Sequence, residues 1–310
     1  MSKRILVTGG AGFIGSHITK ELLSLGYRVA VVDNLSSGFL ENTNKDAKFY
    51  EMDLADTDLS QVFEQEKPEI IFHCAAQISV SNSIKSPIND ASVNVISTLN
   101  ILENAKRYKS KKIIFSSTGG AIYGEPQYLP CDESHKINPM SPYGLSKYVA
   151  EEYIKLYHRL YGLNYTIFRY SNVYGPCQNS NSEAGVVAIF CRMMLDNSKI
   201  SIFGSGNQER DFIYVSDIVA ANLLALDTGK NGVYNVSSSE GTTINKIFVL
   251  LSEILKYDMK PSREPLRAGD IDKIHLSNSR IKTELGWDQN VPLEQGMQMT
   301  TEYYSSLRGS

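Results

Sequence analysis

Two groups of side chains in this chain have the types and spacing to do chemistry. Tyr143 and Lys147 lie four apart in SPYGLSK (141–147), and Ser116, Ser117 and Thr118 form a run of hydroxyls in IIFSST (113–118). A spacing of four puts Tyr143 and Lys147 on one face of a helix, and Pro142 suits that helix's first turn. A free tyrosine, with a pKa of about 10, is a poor base at neutral pH. A nearby ammonium favours the phenolate and pulls that value toward a useful range. The hydroxyls end a strand-like run, where they can hydrogen-bond an oxygen of a bound substrate.

The Tyr-x-x-x-Lys spacing is weak by itself. With 18 tyrosines in 310 residues, about one such pair is expected by chance. A second pair exists, Tyr108 with Lys112 in RYKSKKII (107–114). It reads as a solvated turn entering a strand at its amino end. Position separates the two, because Tyr143 follows the hydroxyl strand, whose carboxyl end is the ligand side of an open α/β sheet.

The elements that must place these groups alternate along the chain. RILVT, RVAVV, KFYEM, EIIFHCA, KIIFSS and YTIFRY are near-continuous apolar strands, as in a parallel sheet buried on both faces. Amphipathic stretches separate them: Ile14, Ile18, Leu22 and Leu25 make one helical stripe, and Val93, Leu99 and Leu102 fall in another. The alternation over residues 1–172 predicts an α/β fold with a doubly wound parallel sheet, a Rossmann-type nucleotide-binding domain. Beyond it, GPCQNSNSEAG (175–185) is loop-like, and short strands then mix with helices. Residues 173–310 are expected to form a smaller mixed substrate domain. RDFIYV (210–215) and GVYNV (232–236) look like isolated strands, with segments in about 210–237 returning to the main sheet.

The first strand runs into TGGAGFIG (8–15), where Gly9, Gly12 and Gly15 permit a tight turn and a close backbone approach by a pyrophosphate at a helix N-terminus. Phe13 and Ile14 begin that helix. Asp33 ends the second strand, where a carboxylate accepts from both ribose hydroxyls and repels a 2′-phosphate, so NAD is expected over NADP. A glycine turn that merely packs tightly is the competing reading. The order strand, motif, helix, strand, acid favours the nucleotide. Asp53, and Ala75 with Ala76, stand at further carboxyl ends of strands.

Bulk properties narrow the function. A net charge of −3 with 21% charged residues and no dense basic run gives no support to nucleic-acid or membrane-surface binding. No apolar run is long enough to span a bilayer, and MSKRILVTGG lacks a cleavable apolar segment. Cys74, Cys131, Cys177 and Cys191 are scattered, so neither a metal site nor a disulfide framework is expected and a cytoplasmic home is the simplest.

Together, TGGAGFIG, DNLSSG (33–38), HCAAQ (73–77), the hydroxyl strand and SPYGLSK resemble the extended short-chain dehydrogenase/reductases acting on nucleotide sugars, most closely the UDP-glucose 4-epimerases. RYSNVYGP (169–176), RDFIYVSD (210–217) and RAGD (267–270) look like that family's substrate-domain motifs, so the resemblance covers nearly the whole chain. It implies a catalytic set of a Ser or Thr, Tyr143 and Lys147. It also implies NAD contacts from Asp33, Asn34, Leu35, Ser36, Ser37 and Gly38, from Asp53 and Leu54, from Ala75, Ala76 and Gln77, and from Asn94, Ser116 and Tyr170. Asn172, Arg210, Arg267 and Asp270 would hold a UDP-sugar. For the two arginines a surface ion pair is the plain alternative.

Related dehydratases follow this Thr with an Asp-Glu pair that moves protons during elimination. Here Gly119 and Gly120 stand in that place, and glycine transfers no proton. The expectation is therefore an isomerase that oxidises and re-reduces C4 of a UDP-sugar. A net reductase or a non-catalytic NAD sensor are the rivals. Thr118 and Tyr123 have four residues between them, whereas the family commonly has three. Aligned from the strand the catalytic hydroxyl is Thr118, and a bulge would hand the role to Ser117. Ile274, four after Asp270, falls where the family gates the sugar's C2 substituent, unless it points into the core. Being neither aromatic nor small, it predicts preference for UDP-glucose and UDP-galactose over the N-acetylated pair. Of the helical candidates 92–108 and 143–161, the second carries surplus apolar surface on Val149, Tyr153, Leu156, Tyr157 and Leu160, and the family's equivalent helices pair two-fold, so a homodimer is expected.

Overall fold

The computed structural model describes residues 3–56, 58–180, 185–265 and 271–308. In chain order the first part runs β1 (Arg4–Thr8), α1 (Phe13–Ser24), β2 (Arg28–Asp33), β3 (Lys48–Glu51), α2 (Ser60–Glu66) and β4 (Ile70–His73). Two short helices follow, α3 (Val80–Lys85) and α4 (Pro87–Ala91), then α5 (Ser97–Arg107), β5 (Lys112–Thr118), the single turn α6 (Gly119–Ile122), the long α7 (Pro142–Tyr161) and β6 (Asn164–Tyr170). The chain then makes β7 (Asn172–Tyr174), α8 (Val186–Leu195), β8 (Ser201–Phe203), β9 (Glu209–Arg210), β10 (Phe212–Tyr214), α9 (Val215–Leu224) and β11 (Gly232–Val236). It closes with β12 (Thr242–Thr243), α10 (Ile244–Leu255), β13 (Ser262–Glu264), α11 (Ser279–Leu285) and α12 (Leu293–Ser306).

Seven strands form one parallel sheet in the order β11-β6-β5-β4-β1-β2-β3. The sequence order reverses between β1 and β4, which makes their carboxyl ends the place where such a sheet opens a crevice for ligands. Alternate residues feed the two faces. Ile5, Val7, Ile114 and Phe168 pack with Ile18 and Leu22 of α1, Ile218 of α9 and Ile281 of α11. Leu6, Ile71, Ile113, Phe115 and Ile167 pack with Phe63 of α2, Leu102 of α5, and Ala150 and Ile154 of α7. Each such side chain taken out of water contributes about 1.5–3 kcal/mol, so the strand ends that carry the polar groups are held by a dry sandwich beneath them.

GVYNV is not isolated: β11 is the edge strand of the main sheet, in parallel register with β6. RDFIYV stays outside that sheet, split between β9 and β10, and β10 pairs with β7. A third apolar cluster, with Tyr174, Phe190, Met194, Phe212, Leu251 and Met297, joins α8, α10 and α12 around these short strands. In the first predicted stripe, Ile18 and Leu22 are buried, while Leu25 lies past the helix end and is exposed.

Two local features prepare the site. Helix α7 starts with Ser141, whose side chain accepts from the Gly144 N–H, with Pro142 at its first position; it ends at Gly162 in the left-handed region. Its buried stripe runs Gly144, Lys147, Ala150, Glu151, Ile154 and Tyr157, so one lysine and one glutamate are drawn inside with the apolar residues. Between α4 and α5, residues Ser92–Ile96 form a π turn, which shifts the helix register and turns Asn94 into the protein.

Candidate active site

In the glycine turn, backbone packs directly against backbone. Gly9 has φ +71°, and a Cβ there would stand 2.6 Å from the Ala75 nitrogen; at Gly15 it would stand 2.1 Å from the Gly9 oxygen. No side chain caps the start of α1, so its first N–H groups face the crevice with the positive end of the helix dipole. Asp33 accepts from the Ala11 N–H and the Leu35 N–H, both at 2.9 Å. Each carboxylate oxygen keeps a further lone pair for a ribose hydroxyl. The loop that follows folds over the turn: Phe39 N–H donates to the Ala11 carbonyl, Asn34 donates to Asp53 at 2.6 Å, and the Ser37 carbonyl accepts from Asn179. A bare backbone turn, an uncapped helix start and a carboxylate at the next strand end fit a dinucleotide.

On the other side of the switch point, the Ala75 N–H donates to the Thr8 hydroxyl. Asn94 holds the backbone of Gln77 by a pair of hydrogen bonds, both 3.0 Å, and donates to Ser146 of α7 at 3.1 Å. Ser116 approaches the Cys74 sulfur and the Tyr170 hydroxyl, both at 3.4 Å, and Asn222 donates to that hydroxyl at 2.7 Å. Burial and the neighbouring thiol push the Tyr170 phenol well above its ordinary range. His73 is held between Thr8 and Thr98, and burial brings it down to about 3, so it stays neutral.

The pairing of β5 with β6 runs unbroken through Ser116, Ser117 and Thr118. There is no bulge in that ladder, and the four residues between Thr118 and Tyr123 form α6. Strand alternation then separates the hydroxyls. Thr118 lies on the Tyr143 side, close enough to lower its phenol's pKa. Ser117 lies on the opposite face, 5% exposed, and donates to Glu151 at 2.6 Å. The expectation that Ser117 faces the sugar is corrected by that geometry.

Lys147 is 2% exposed, with its Nζ 4.1 Å from the centre of the Phe115 ring. Burial brings it down to about 8, against Cys74, Glu151 and Asp90, which hold it up. Tyr143 is half-buried, and burial pushes its phenol up to about 12, with Thr118 lowering it and Asp90 raising it further. The protein by itself thus holds the tyrosine protonated. Burial outweighs what favours the phenolate among the protein's own groups; the expected drop toward neutral pH rests on the ammonium together with the positive nicotinamide of NAD.

Several polar groups here escaped the sequence reading. Glu151, fully buried, pairs with Arg169 through two hydrogen bonds of 3.0 and 2.7 Å, and Arg169 donates to the Tyr123 hydroxyl, which donates to Asn235. This network ties α7, β6 and β11 beneath the loop after Thr118. Glu151 stands one turn beyond Lys147 on the same face, a signal the spacing contained. Asp90, 1% exposed, accepts from Gln77 and Asn94, and nothing in its local sequence distinguished it.

The substrate-side residues are less gathered. Asn172 is exposed and donates its N–H to the Asp211 carbonyl. Arg210 donates to the carbonyls of Glu209 and Asp272. Arg267 and Asp270 lie outside the described residues. Ile274 is 3% exposed and packs with Tyr123, Cys131 and Leu276; a Cβ on Gly119 would meet Leu276, whereas one on Gly120 would meet nothing within 4 Å.

Residues 5–237 match the NAD dependent epimerase/dehydratase family. The chain belongs to this family. Among solved structures it is similar to a UDP-glucose 4-epimerase from Thermotoga maritima crystallised with UDP-glucose, at 49% identity and TM-score 0.97, over 98% of this chain and 99% of that one. A Thermus thermophilus UDP-glucose 4-epimerase in complex with NAD matches at 39% identity and TM-score 0.93, over 97% and 99%. The UDP-glucose 4-epimerase of Mycolicibacterium smegmatis is 38% identical over 307 residues, 97% of this chain and 98% of its own. The seven-stranded Rossmann-type sheet and the extended short-chain dehydrogenase/reductase resemblance are thereby the family's own.

Proposed function

We propose that this protein is an NAD-dependent isomerase that inverts C4 of a UDP-sugar, interconverting UDP-glucose and UDP-galactose. The observation that carries the reading is the placement of Thr118 beside the Tyr143 phenol with buried Lys147 one turn on, beside the glycine dinucleotide turn and full-length likeness to 4-epimerases. Bound NAD supplies the chemistry of taking a hydride from the sugar and giving it back. The turn Gly9–Gly15, Asp33, the loop 34–38, Asp53, Leu54, Ala75–Gln77, Asn94, Ser116 and Tyr170 would hold it. Tyr143 takes the proton of the 4-hydroxyl and later returns it, Thr118 holds that oxygen, and Lys147 supplies positive charge beside them. A positive cofactor ring is also what would bring the phenol down from about 12.

Glycine at 119 and 120 supplies neither acid nor base for elimination, which separates this reading from the family's dehydratases. Asn172, Arg210, Arg267 and Asp270 are assigned to the nucleotide diphosphate, guanidinium groups suiting phosphate oxygens. Residues 1–172 with the returning strand β11 are assigned to the cofactor, and the remainder of 173–310 to the sugar nucleotide.

Of the α7 residues expected to pair, Leu160 is more than half exposed, as are Leu145 and Tyr161 on the same helix, whereas Tyr157 is buried in the monomer's own core; the exposed residues support the two-fold homodimer proposed through α7 and residues 92–108. Light scattering that gives a monomer at micromolar concentration ends that assignment. No helix among the described residues is long and apolar enough to cross a membrane, and the four cysteines are free; a cytoplasmic home is proposed on that chemistry.

The deciding experiment is incubation with UDP-galactose followed by sugar analysis and nicotinamide absorbance. Formation of UDP-glucose with no steady absorbance change is expected. Steady accumulation of NADH means a net dehydrogenase, and bound NAD without any sugar conversion means a sensor.

A further inference from the structure

Asp90 sits at the centre of the polar contacts behind the catalytic helix. One carboxylate oxygen, Oδ1, accepts from Gln77 Nε2 at 2.7 Å and from Asn94 Nδ2 at 3.1 Å. Neither amide can be turned round: the Gln77 oxygen already accepts the Ser79 N–H, and the Asn94 oxygen accepts the Gln77 N–H. The other oxygen, Oδ2, is buried with no hydrogen-bond partner among the described residues. A buried polar atom left in that state calls for an explanation, and its charge is felt through space. From Asn94 the chain continues to Ser146 at 3.1 Å, and Ser146 donates at 3.0 Å to the carbonyl of Tyr143 itself. The carboxylate is thus tied to the turn that carries Tyr143, through groups that are themselves buried.

We propose that Asp90 is a positioning residue for the reaction: through Asn94 and Ser146 it locks the first turn of α7 against the π turn, and it supplies the negative charge against which Tyr143 exchanges its proton with the substrate and Lys147 keeps its positive charge. The proposal rests on Tyr143 being the base. The other groups facing the pair are Thr118 from β5, Cys74 and neutral His73 from the end of β4, and Glu151 from α7, whose charge Arg169 already answers. Asp90 therefore stands as the unanswered negative charge near both catalytic groups, and it holds the proton on each of them more firmly. Its loss favours the phenolate and also weakens the ammonium, so both limbs of a pH profile move toward acid.

The test uses the NAD-loaded enzyme. In Asp90→Asn, which keeps shape and loses charge, the pH profile of kcat/KM should shift to lower pH by about one unit. The Tyr143 phenolate, followed by ultraviolet difference against the same protein carrying Tyr143→Phe, should titrate lower by the same amount. Ser146→Ala breaks the mechanical link and keeps the charge, and should lower kcat several-fold with the profile in place. A merely structural Asp90 would scale activity equally at all pH values and leave the phenolate titration unmoved, which overturns the proposal. If Asp90→Asn does not fold, the smaller Asp90→Ser repeats the measurement; loss of fold in both assigns Asp90 to stability alone. Should Tyr143→Phe retain activity, the base assignment fails, and that result is separate from an inert Asp90 behind an essential tyrosine.

Discussion

The chain carries the same Tyr-x-x-x-Lys spacing at both ends of its sheet, and the two copies have opposite fates. Lys147 and Lys112 are both buried, at 2% and 4% exposure, and burial brings both down to about 8. Lys112 enters β5 at its amino end and donates to the carbonyls of Ala225 and Thr228, both at 2.6 Å, just past the C-terminus of α9. Tyr108 ends α5 and packs near Phe63. That pair is a brace, satisfied by backbone. Lys147 instead lies over the Phe115 ring of the same strand, one turn from a tyrosine that stands beside Thr118 at the strand's carboxyl end. A shifted lysine is therefore no evidence of catalysis by itself; what its ammonium faces decides.

The largest effect that could break this comparison is loss of the phenol. Tyr143→Phe should lower turnover by at least about two orders of magnitude with NAD still bound, as for a lost general base, whereas Tyr108→Phe should stay within about two-fold of the native rate. Near-normal turnover in the first variant removes the distinction between the ends. The lysines give the next contrast. Lys147→Met should cost about a hundred-fold in kcat at little change in Tm. Lys112→Met should lose about 1–3 kcal/mol of stability, because two buried carbonyls lose their donor, while activity per folded molecule is kept. Paired denaturant titrations and steady-state kinetics separate these outcomes.

A sharper version lies within β5, where neighbouring residues face opposite sides. Thr118→Ala should reduce kcat about ten-fold or more without unfolding. Ser117→Ala should leave kcat near native and destabilise by about 1 kcal/mol, through the bond to Glu151. Equal kinetic effects would mean that the strand does not separate the two hydroxyls in solution. The smallest effect is expected at Ile274. If it gates the sugar's C2 group, Ile274→Tyr and Ile274→Ser move the ratio of N-acetylated to plain UDP-sugar turnover in opposite directions, by about two- to five-fold. Its burial against Tyr123 and Leu276 keeps that effect small, and an unmoved ratio places the gate elsewhere.

Much of the fold was legible because its signals are local. Continuous apolar runs such as IIFH announce strands covered on both faces. The glycines of 9–15 are required where backbone meets backbone, and Ser141-Pro142 with Gly162 mark the two ends of α7. GVYNV was harder, since a five-residue strand carries no record of its partner; its place beside β6 depends on a chain segment more than sixty residues away in sequence.

By itself, the sequence determined the sheet's strand–helix order, the dinucleotide turn with Asp33, and the presence of Thr118, Tyr143 and Lys147, since propensity, periodicity and motif spacing act over a few residues. Only the tertiary structure decided which hydroxyl meets the phenol. A one-residue change of register would have exchanged Ser117 for Thr118, and the ladder from β5 to β6 rules that exchange out. It likewise decided that Lys147 sits dry over Phe115 and that Asp90 stands behind Tyr143. Burial, and the charges that survive it, are properties of what surrounds a residue in space, and that is assembled from strands and helices far apart along the chain.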